Sequence, residues 1–78
     1  MKNVIIYSTP TCVYCRLAKK FFDENGVAYK DINVAADSEA RKKAVTDSGQ
    51  LGVPVIDVDG QIVVGFDQER LSELLNIN

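Results

Sequence analysis

Two hydrophobic periods alternate along this chain, one suited to strands and one to helices. Val4-Ile5-Ile6-Tyr7 is a continuous apolar run without clean alternation, so Lys2 to Ser8 reads as a strand buried on both faces. Val13, Tyr14, Leu17, Ala18, Phe21 and Phe22 then recur at helical spacing until Asn25-Gly26 stops them, with Thr11 as the expected N-cap and Cys12 at the helix start. Ala28 to Asn33 reads as a second strand. Asp37 caps a second helix, in which Ala40, Ala44 and Val45 face inward while Glu39, Arg41, Lys42 and Lys43 face water; it ends near Ser48-Gly49. Pro54 to Val58 and Gln61 to Val64 flank Asp59-Gly60, a dipeptide favoured in two-residue hairpin turns. Gly65-Phe66 leads to Asp67, the N-cap of a last helix whose Leu71, Leu74 and Leu75 pack on the sheet.

The order is βαβαββα, an α/β arrangement. A strand, helix, strand unit implies a parallel pair with a right-handed crossover, and the closing hairpin must then lie beside strand one. The expected sheet is four-stranded and mixed, in the order 2-1-3-4, with three helices distributed over both faces. No linker, repeat or low-complexity tract interrupts the 78 residues, so residues 1–78 are expected to form one domain with one site.

Composition narrows the chemistry. A formal charge of -2 leaves no basic footprint for nucleic acid, and the longest apolar runs are far too short to span a bilayer. Met1-Lys2-Asn3-Val4 runs straight into the first strand without the pattern of a secretory leader, so the cytoplasm is the expected compartment. The absence of His removes the commonest general base and the commonest metal ligand. Zinc is disfavoured, since two thiols cannot complete a site within one chain, and no metal is expected. The chemistry rests on Cys12 and Cys15.

Those cysteines form a Cys-Val-Tyr-Cys unit at the start of the first helix. Two cysteines at this spacing can close a small disulfide without moving the rest of the fold, whereas a stabilising bridge gains most from closing a long loop. The pair therefore reads as a redox dithiol. Backbone N–H groups and the positive end of the helix dipole favour the thiolate of Cys12, which makes it the nucleophile. Cys15, one turn deeper, resolves the mixed disulfide by attacking Cys12. Arg16 and Lys19 are the nearest cations, on what reads as a solvated face, and Tyr14 offers either a ring to substrate or a partly buried core residue. Two further clusters stand out: Gly49 to Pro54, and the Gly65-Phe66-Asp67-Gln68 turn, whose helix N-terminus suits a carboxylate.

With Cys12-Val13-Tyr14-Cys15 after strand one, Gly52-Val53-Pro54 before strand three and Val64-Gly65-Phe66-Asp67 before the last helix, the chain resembles the glutaredoxins over nearly all its length. The resemblance implies a thioredoxin-like fold and a cis Val53-Pro54 bond that turns the Val53 backbone outward beside Cys12. It also implies a glutathione-dependent disulfide oxidoreductase that acts on protein disulfides and protein–glutathione mixed disulfides. Glutathione is then a co-substrate rather than a tightly bound cofactor, held by Thr9, Tyr14, Val53, Pro54, Phe66, Asp67 and Gln68. Two positions depart from the family pattern: Thr9 stands where a Lys is frequent, and Leu51 where a basic residue often precedes the Pro loop.

Val13 in place of Pro and the Gly65-Phe66 pair also look like a sister group. These are glutaredoxin-like hydrogen donors to ribonucleotide reductase, recharged by thioredoxin reductase. A minor alternative is an iron–sulfur carrier in which two chains each supply Cys12 and two glutathiones complete the ligand set. The expected partners are therefore glutathione and disulfide-containing or glutathionylated proteins, with ribonucleotide reductase and thioredoxin reductase as the alternative pair. A monomer is expected, with neither nucleic acid nor membrane as partner.

Overall fold

Central strand β1 (Val4–Ser8) organises the fold, which we describe from a computed structural model for residues 2–50 and 52–77. Leu51, part of the predicted turn before Pro54, lies outside the described residues. Helix α1 (Val13–Glu24) follows, then β2 (Lys30–Asn33), α2 (Ser38–Ser48), β3 (Val55–Val58), β4 (Gln61–Val64) and α3 (Gln68–Leu75). The sheet order is β2-β1-β3-β4, with β1 parallel to β2 and antiparallel to β3, and β3 antiparallel to β4. This is the predicted βαβαββα order and the predicted four-stranded mixed sheet.

Strand alternation divides the interior into two cores. Ile6 of β1, Ile56 and Val58 of β3 and Val63 of β4 point to the face covered by Ala18, Phe21 and Phe22 of α1 and Leu71 of α3. Tyr7 and Val55 point to the other face, where Val34, just after β2, and Ala44 of α2 complete a smaller cluster with Ile5, Ile32 and Ile62 at its margin. Because side chains alternate with period two, consecutive residues of β1 serve opposite cores, and a one-residue slip would exchange them. Leu74 and Leu75 pack at the edge of the larger core rather than within it.

The turn chemistry follows the sequence closely. Asp59 and Gly60 adopt φ of 50° and 88°, the doubly left-handed turn that an Asp-Gly hairpin favours. Asp37 accepts the Ala40 N–H at 3.0 Å, and Asp67 accepts the Arg70 N–H at 3.1 Å, each capping its helix. Helix α2 ends on Gly49 in the left-handed conformation.

Four boundary expectations need correction, one being the third strand, which begins at Val55 rather than Pro54 because Pro54 has no N–H for the ladder. The first strand begins at Val4 rather than Lys2, although the Asn3 carbonyl still accepts the Asp59 N–H at 2.9 Å and the Asn3 N–H donates to the Asp59 carboxylate at 2.7 Å. The second begins at Lys30 rather than Ala28, because its ladder with β1 starts at the Ile5–Lys30 pair. Thr11 does not cap α1. It lies inside a turn closed by the Cys12 N–H to Thr9 carbonyl bond, and Cys12 is the cap.

The largest correction concerns α1. Its buried arc is Cys15, Ala18, Phe21 and Phe22, while Val13, Tyr14 and Leu17 are 62%, 63% and 42% exposed. At about 100° per residue, Val13 falls on the side of the helix opposite that arc and Leu17 on its flank. Helical spacing marked two stripes, only one of which is core.

Phe22 is fully buried and its ring lies 5.9 Å from that of Phe21 and 5.4 Å from that of Tyr29. Phe22→Ala should lower the unfolding free energy by about 3–5 kcal/mol, a large fraction of the total expected for a chain this size. Urea titration followed by far-UV circular dichroism checks this; an unshifted midpoint would contradict the packing described.

Candidate active site

The C-terminal end of β1, the starts of α1 and α3 and the start of β3 converge at one end of the sheet, and the two cysteines sit there as free thiols. Cys12 has extended backbone angles (φ −82°, ψ 114°), so its side chain folds back over the first turn of α1. Its Sγ accepts the Cys15 N–H at 3.1 Å, taking the place a hydroxyl or carboxylate oxygen usually fills at a helix cap. That N–H is the contact an anionic sulfur needs. Cys12 is partly exposed, whereas Cys15 is completely buried. Burial pushes the Cys15 thiol up to about 12; its hydrogen bond with Cys12 and the Cys12 charge add to this, while the Thr9 backbone and Lys19 oppose it.

The remaining predicted residues fall into two groups around Cys12. In the protonated state the Cys12 thiol donates to the Val53 carbonyl at 3.8 Å, so the loop before β3 meets the sulfur directly. The Val53–Pro54 peptide bond is cis, as expected, and Pro54 is buried, its carbonyl accepting the Gly65 N–H at 2.8 Å. That bond ties the Pro loop to the Gly65–Gln68 turn. Within this turn Asp67 and Gln68 are exposed, while Phe66 packs against the larger core with its ring 5.8 Å from that of Phe21. Tyr14 stands out from α1 rather than in the core.

Thr9 lies on the opposite flank. Together with Val53, Gly52, Gln50 and Arg41 it lines a groove of about 220 Å³ that runs from the Cys12 side of the loop to α2. The sequence pattern places Arg41 among the water-facing residues of α2. Its position was legible in principle, because Arg41, Ala44 and Val45 share one row of α2 at spacings of three and four, and the other two line the same groove. Arg41 thus brings a cation to the groove that Thr9 lines.

Lys19 is likewise more than a solvated cation. Its ammonium lies 2.7 Å from Asp31, which also accepts the Ser8 hydroxyl at 2.6 Å. Ser8 is the buried polar residue at the end of β1, so the network satisfies it and joins α1 to β2. Burial pushes the Asp31 carboxyl upward, but the hydrogen bonds from Lys19 and Ser8 outweigh it and hold the group below its ordinary range. Arg16, by contrast, donates to the Pro10 carbonyl at 3.1 Å.

Comparison with known proteins agrees with this geometry. The family model described as Glutaredoxin matches residues 4–63. A glutaredoxin-like 8.6 kDa protein of the rubredoxin operon of Clostridium pasteurianum is 41% identical over 70 residues, covering 90% of this chain and 93% of that one. Glutaredoxin 3 of Escherichia coli is 34% identical over 86% of this chain and 81% of its own, and the glutaredoxin-like protein NrdH of Lactococcus lactis is 31% identical over 91% and 97%. Among solved structures, a mutant of the thioredoxin-like protein BC3987 superposes with a TM-score of 0.92 at 37% identity, covering all of both chains.

Two outcomes follow from the site geometry. At pH 8 the buried Cys15 of a Cys12→Ser variant should be alkylated on the order of a hundredfold more slowly than Cys12 of a Cys15→Ser variant, since only the thiolate reacts; mass spectrometry of iodoacetamide-treated protein checks this. Asp31, held below its unfolded value of about 3.9, contributes stability that is complete above that pH and lost as pH falls through the folded value. Asp31→Asn should therefore be less stable than the parent at pH 7 and approach it at pH 2–3, as read from urea midpoints across that range.

Proposed function

The chain belongs to the glutaredoxin family of thiol oxidoreductases, and on that premise we propose that it reduces protein disulfides and protein–glutathione mixed disulfides through Cys12 and Cys15, with glutathione as the electron source. The observation that carries this reading is the asymmetry of the dithiol: a reachable Cys12 sulfur at the helix cap and a fully buried Cys15 behind it.

The steps balance without a resident cofactor. The Cys12 thiolate attacks one sulfur of the substrate disulfide, forming a mixed disulfide and expelling the other sulfur as a thiolate, which takes a proton from water. With a protein disulfide, Cys15 loses its proton and attacks the Cys12 sulfur, releasing the second substrate thiolate and leaving a Cys12–Cys15 disulfide. Two electrons have then passed to the substrate. Two glutathione molecules return them, the first forming a mixed disulfide at Cys12 and the second leaving as glutathione disulfide. A glutathionylated protein needs only Cys12, since the Cys12–glutathione intermediate is cleared by one further glutathione.

In this reading glutathione occupies the groove and turn on either side of Cys12. Its backbone is placed along Val53 and Pro54, beside Thr9 and Tyr14, and its γ-glutamyl end at the turn carrying Phe66, Asp67 and Gln68. The Arg41 guanidinium at the far end of the Thr9 groove gives the glycine carboxylate a cationic partner. In this assignment Phe66 acts through its contact with Phe21, fixing the turn on which Asp67 and Gln68 sit.

A second reading has its own support in the similarity to the NrdH protein, whose alignment spans 91% of this chain. In it the oxidised dithiol is recharged by thioredoxin reductase and the product is reduced ribonucleotide reductase. The two readings share Cys12 and Cys15 and differ only in the electron donor and protein acceptor.

Steady-state turnover of a model disulfide with NADPH, once with glutathione and glutathione reductase and once with thioredoxin reductase, separates them. The glutathione couple should support the faster turnover, and Arg41→Gln should raise the glutathione KM by about three- to tenfold with little change in kcat. Faster recharge by thioredoxin reductase would transfer the assignment to the second reading. Cys12→Ser should abolish turnover of every disulfide, whereas Cys15→Ser should retain removal of glutathione from proteins and lose reduction of protein disulfides.

A further inference from the structure

The solvent face of α1 next to Cys12 combines apolar and cationic side chains. Val13 and Leu17 form one row along the helix and Arg16 and Lys20 an adjacent one, all four exposed. Residues 13–20 contain three cations and no Asp or Glu, although the chain as a whole carries -2. Among the described residues only Lys19 of these three cations has a carboxylate partner, Asp31; Arg16 meets a backbone carbonyl and Lys20 forms no ion pair. Large apolar side chains at 62% and 42% exposure beside unpaired cations make a surface that is both sticky and positive.

We propose that this face selects the protein substrate: it docks a segment that carries acidic and apolar side chains within a few residues of its own disulfide. The inference rests on the redox reading of Cys12 and Cys15 and adds the partner's chemistry to it. Charge complementarity supplies the acidic character, and the Val13–Leu17 row the apolar one. Geometry sets the distance. From Cys12 to Lys20 the helix rises about 12 Å, which extended substrate covers in about four residues. A substrate whose disulfide is seated at Cys12 can therefore reach Arg16, Leu17 and Lys20 with residues immediately flanking the disulfide. No residue of α1 lines the Thr9–Arg41 groove, so this face is separate from the groove proposed for glutathione.

Single-turnover kinetics with pre-reduced protein tests the proposal without any electron donor, each reaction passing two electrons from the dithiol to one disulfide. Three synthetic peptides serve as probes, each with one intramolecular disulfide: one flanked by Asp, Glu, Leu and Phe, one with Lys replacing the acids, and one with Ser replacing Leu and Phe. The acidic, apolar peptide should be reduced about tenfold faster than the basic one at low salt. That preference should shrink as salt rises from about 0.02 M to 0.5 M, where screening falls to a few ångströms. Lys20→Glu should bring the acidic and basic peptides to within about twofold of each other, and Leu17→Ser should remove the advantage over the Ser peptide. Both variants should reduce bis(2-hydroxyethyl) disulfide at the parent rate, since neither residue touches the sulfurs. Equal rates for all three peptides, with the small disulfide still reduced, would overturn the docking face alone. A concentration-dependent dimer that Leu17→Ser dissolves, without peptide preference, would assign the face to a second copy of the chain and also overturn it. Loss of reduction for every disulfide, the small one included, would overturn the redox reading itself and the docking face with it.

Discussion

A single sulfur sets the geometry from which the rest of this site follows. Cys12 Sγ accepts the Cys15 N–H at 3.1 Å and so closes the first turn of α1. A helix begins with backbone donors that lack partners within the helix, and a side-chain acceptor at the cap satisfies one of them. Here that acceptor is the atom proposed to react. Placing it at the cap leaves Cys12 at the rim of the fold and carries Cys15 one turn inward, onto the arc that also buries Ala18 and Phe22. Reachability and burial of the two thiols are therefore one decision about helix register, fixed by Phe21 and Phe22 further along the same helix.

That register is held from several sides. Phe21 and Phe22 anchor α1 on the sheet face formed by Ile6, Ile56, Val58 and Val63, while Lys19 ties it laterally to Asp31 of β2. Asp31 in turn satisfies the buried Ser8 hydroxyl at the end of β1, the strand that leads into the cysteine turn. The ion pair is partly exposed and adds little to stability on its own, about 1 kcal/mol or less. Its value lies in position, since it joins the two elements whose ends frame the site. On the far side, the Gly65 N–H to Pro54 carbonyl bond does the same for the Pro loop and the turn before α3.

Most of the fold was legible from the sequence, because each element carried its own local signal. The βαβ unit followed from the switch of period, the hairpin from Asp59-Gly60, and two of the three helix starts from Asp37 and Asp67. The third start was misread as Thr11, since sulfur is not a usual cap and the local pattern favoured the hydroxyl two residues after Thr9. Helical spacing alone also groups Val13, Tyr14 and Leu17 with Ala18, Phe21 and Phe22, and leaves Tyr14 open between substrate contact and partial core burial. Periodicity reports that a helix has apolar rows, but not which row meets the sheet; the aromatic pair Phe21 and Phe22 decided that in favour of the other arc. Arg41 and Lys19 were underestimated because their partners lie on different elements, a groove wall in one case and Asp31 in the other.

The same helix start explains how a thiol as unreactive as Cys15 can complete the proposed reaction. In the free dithiol, burial holds its proton most strongly, and the hydrogen bond with Cys12 and the charge of Cys12 reinforce that hold. The last two vanish once Cys12 is bound in a mixed disulfide, because its sulfur is then neutral and no longer a free partner. What remains is burial, set against the Thr9 backbone and the Lys19 ammonium. Within the proposed reaction, forming the mixed disulfide therefore removes the contributions of Cys12 from the restraint on Cys15. A thiol of high basicity also makes a strong nucleophile once ionised, so the small thiolate fraction is partly offset by its reactivity. Two cysteines one turn apart, with one partly exposed and one buried, therefore suit the proposed order of steps.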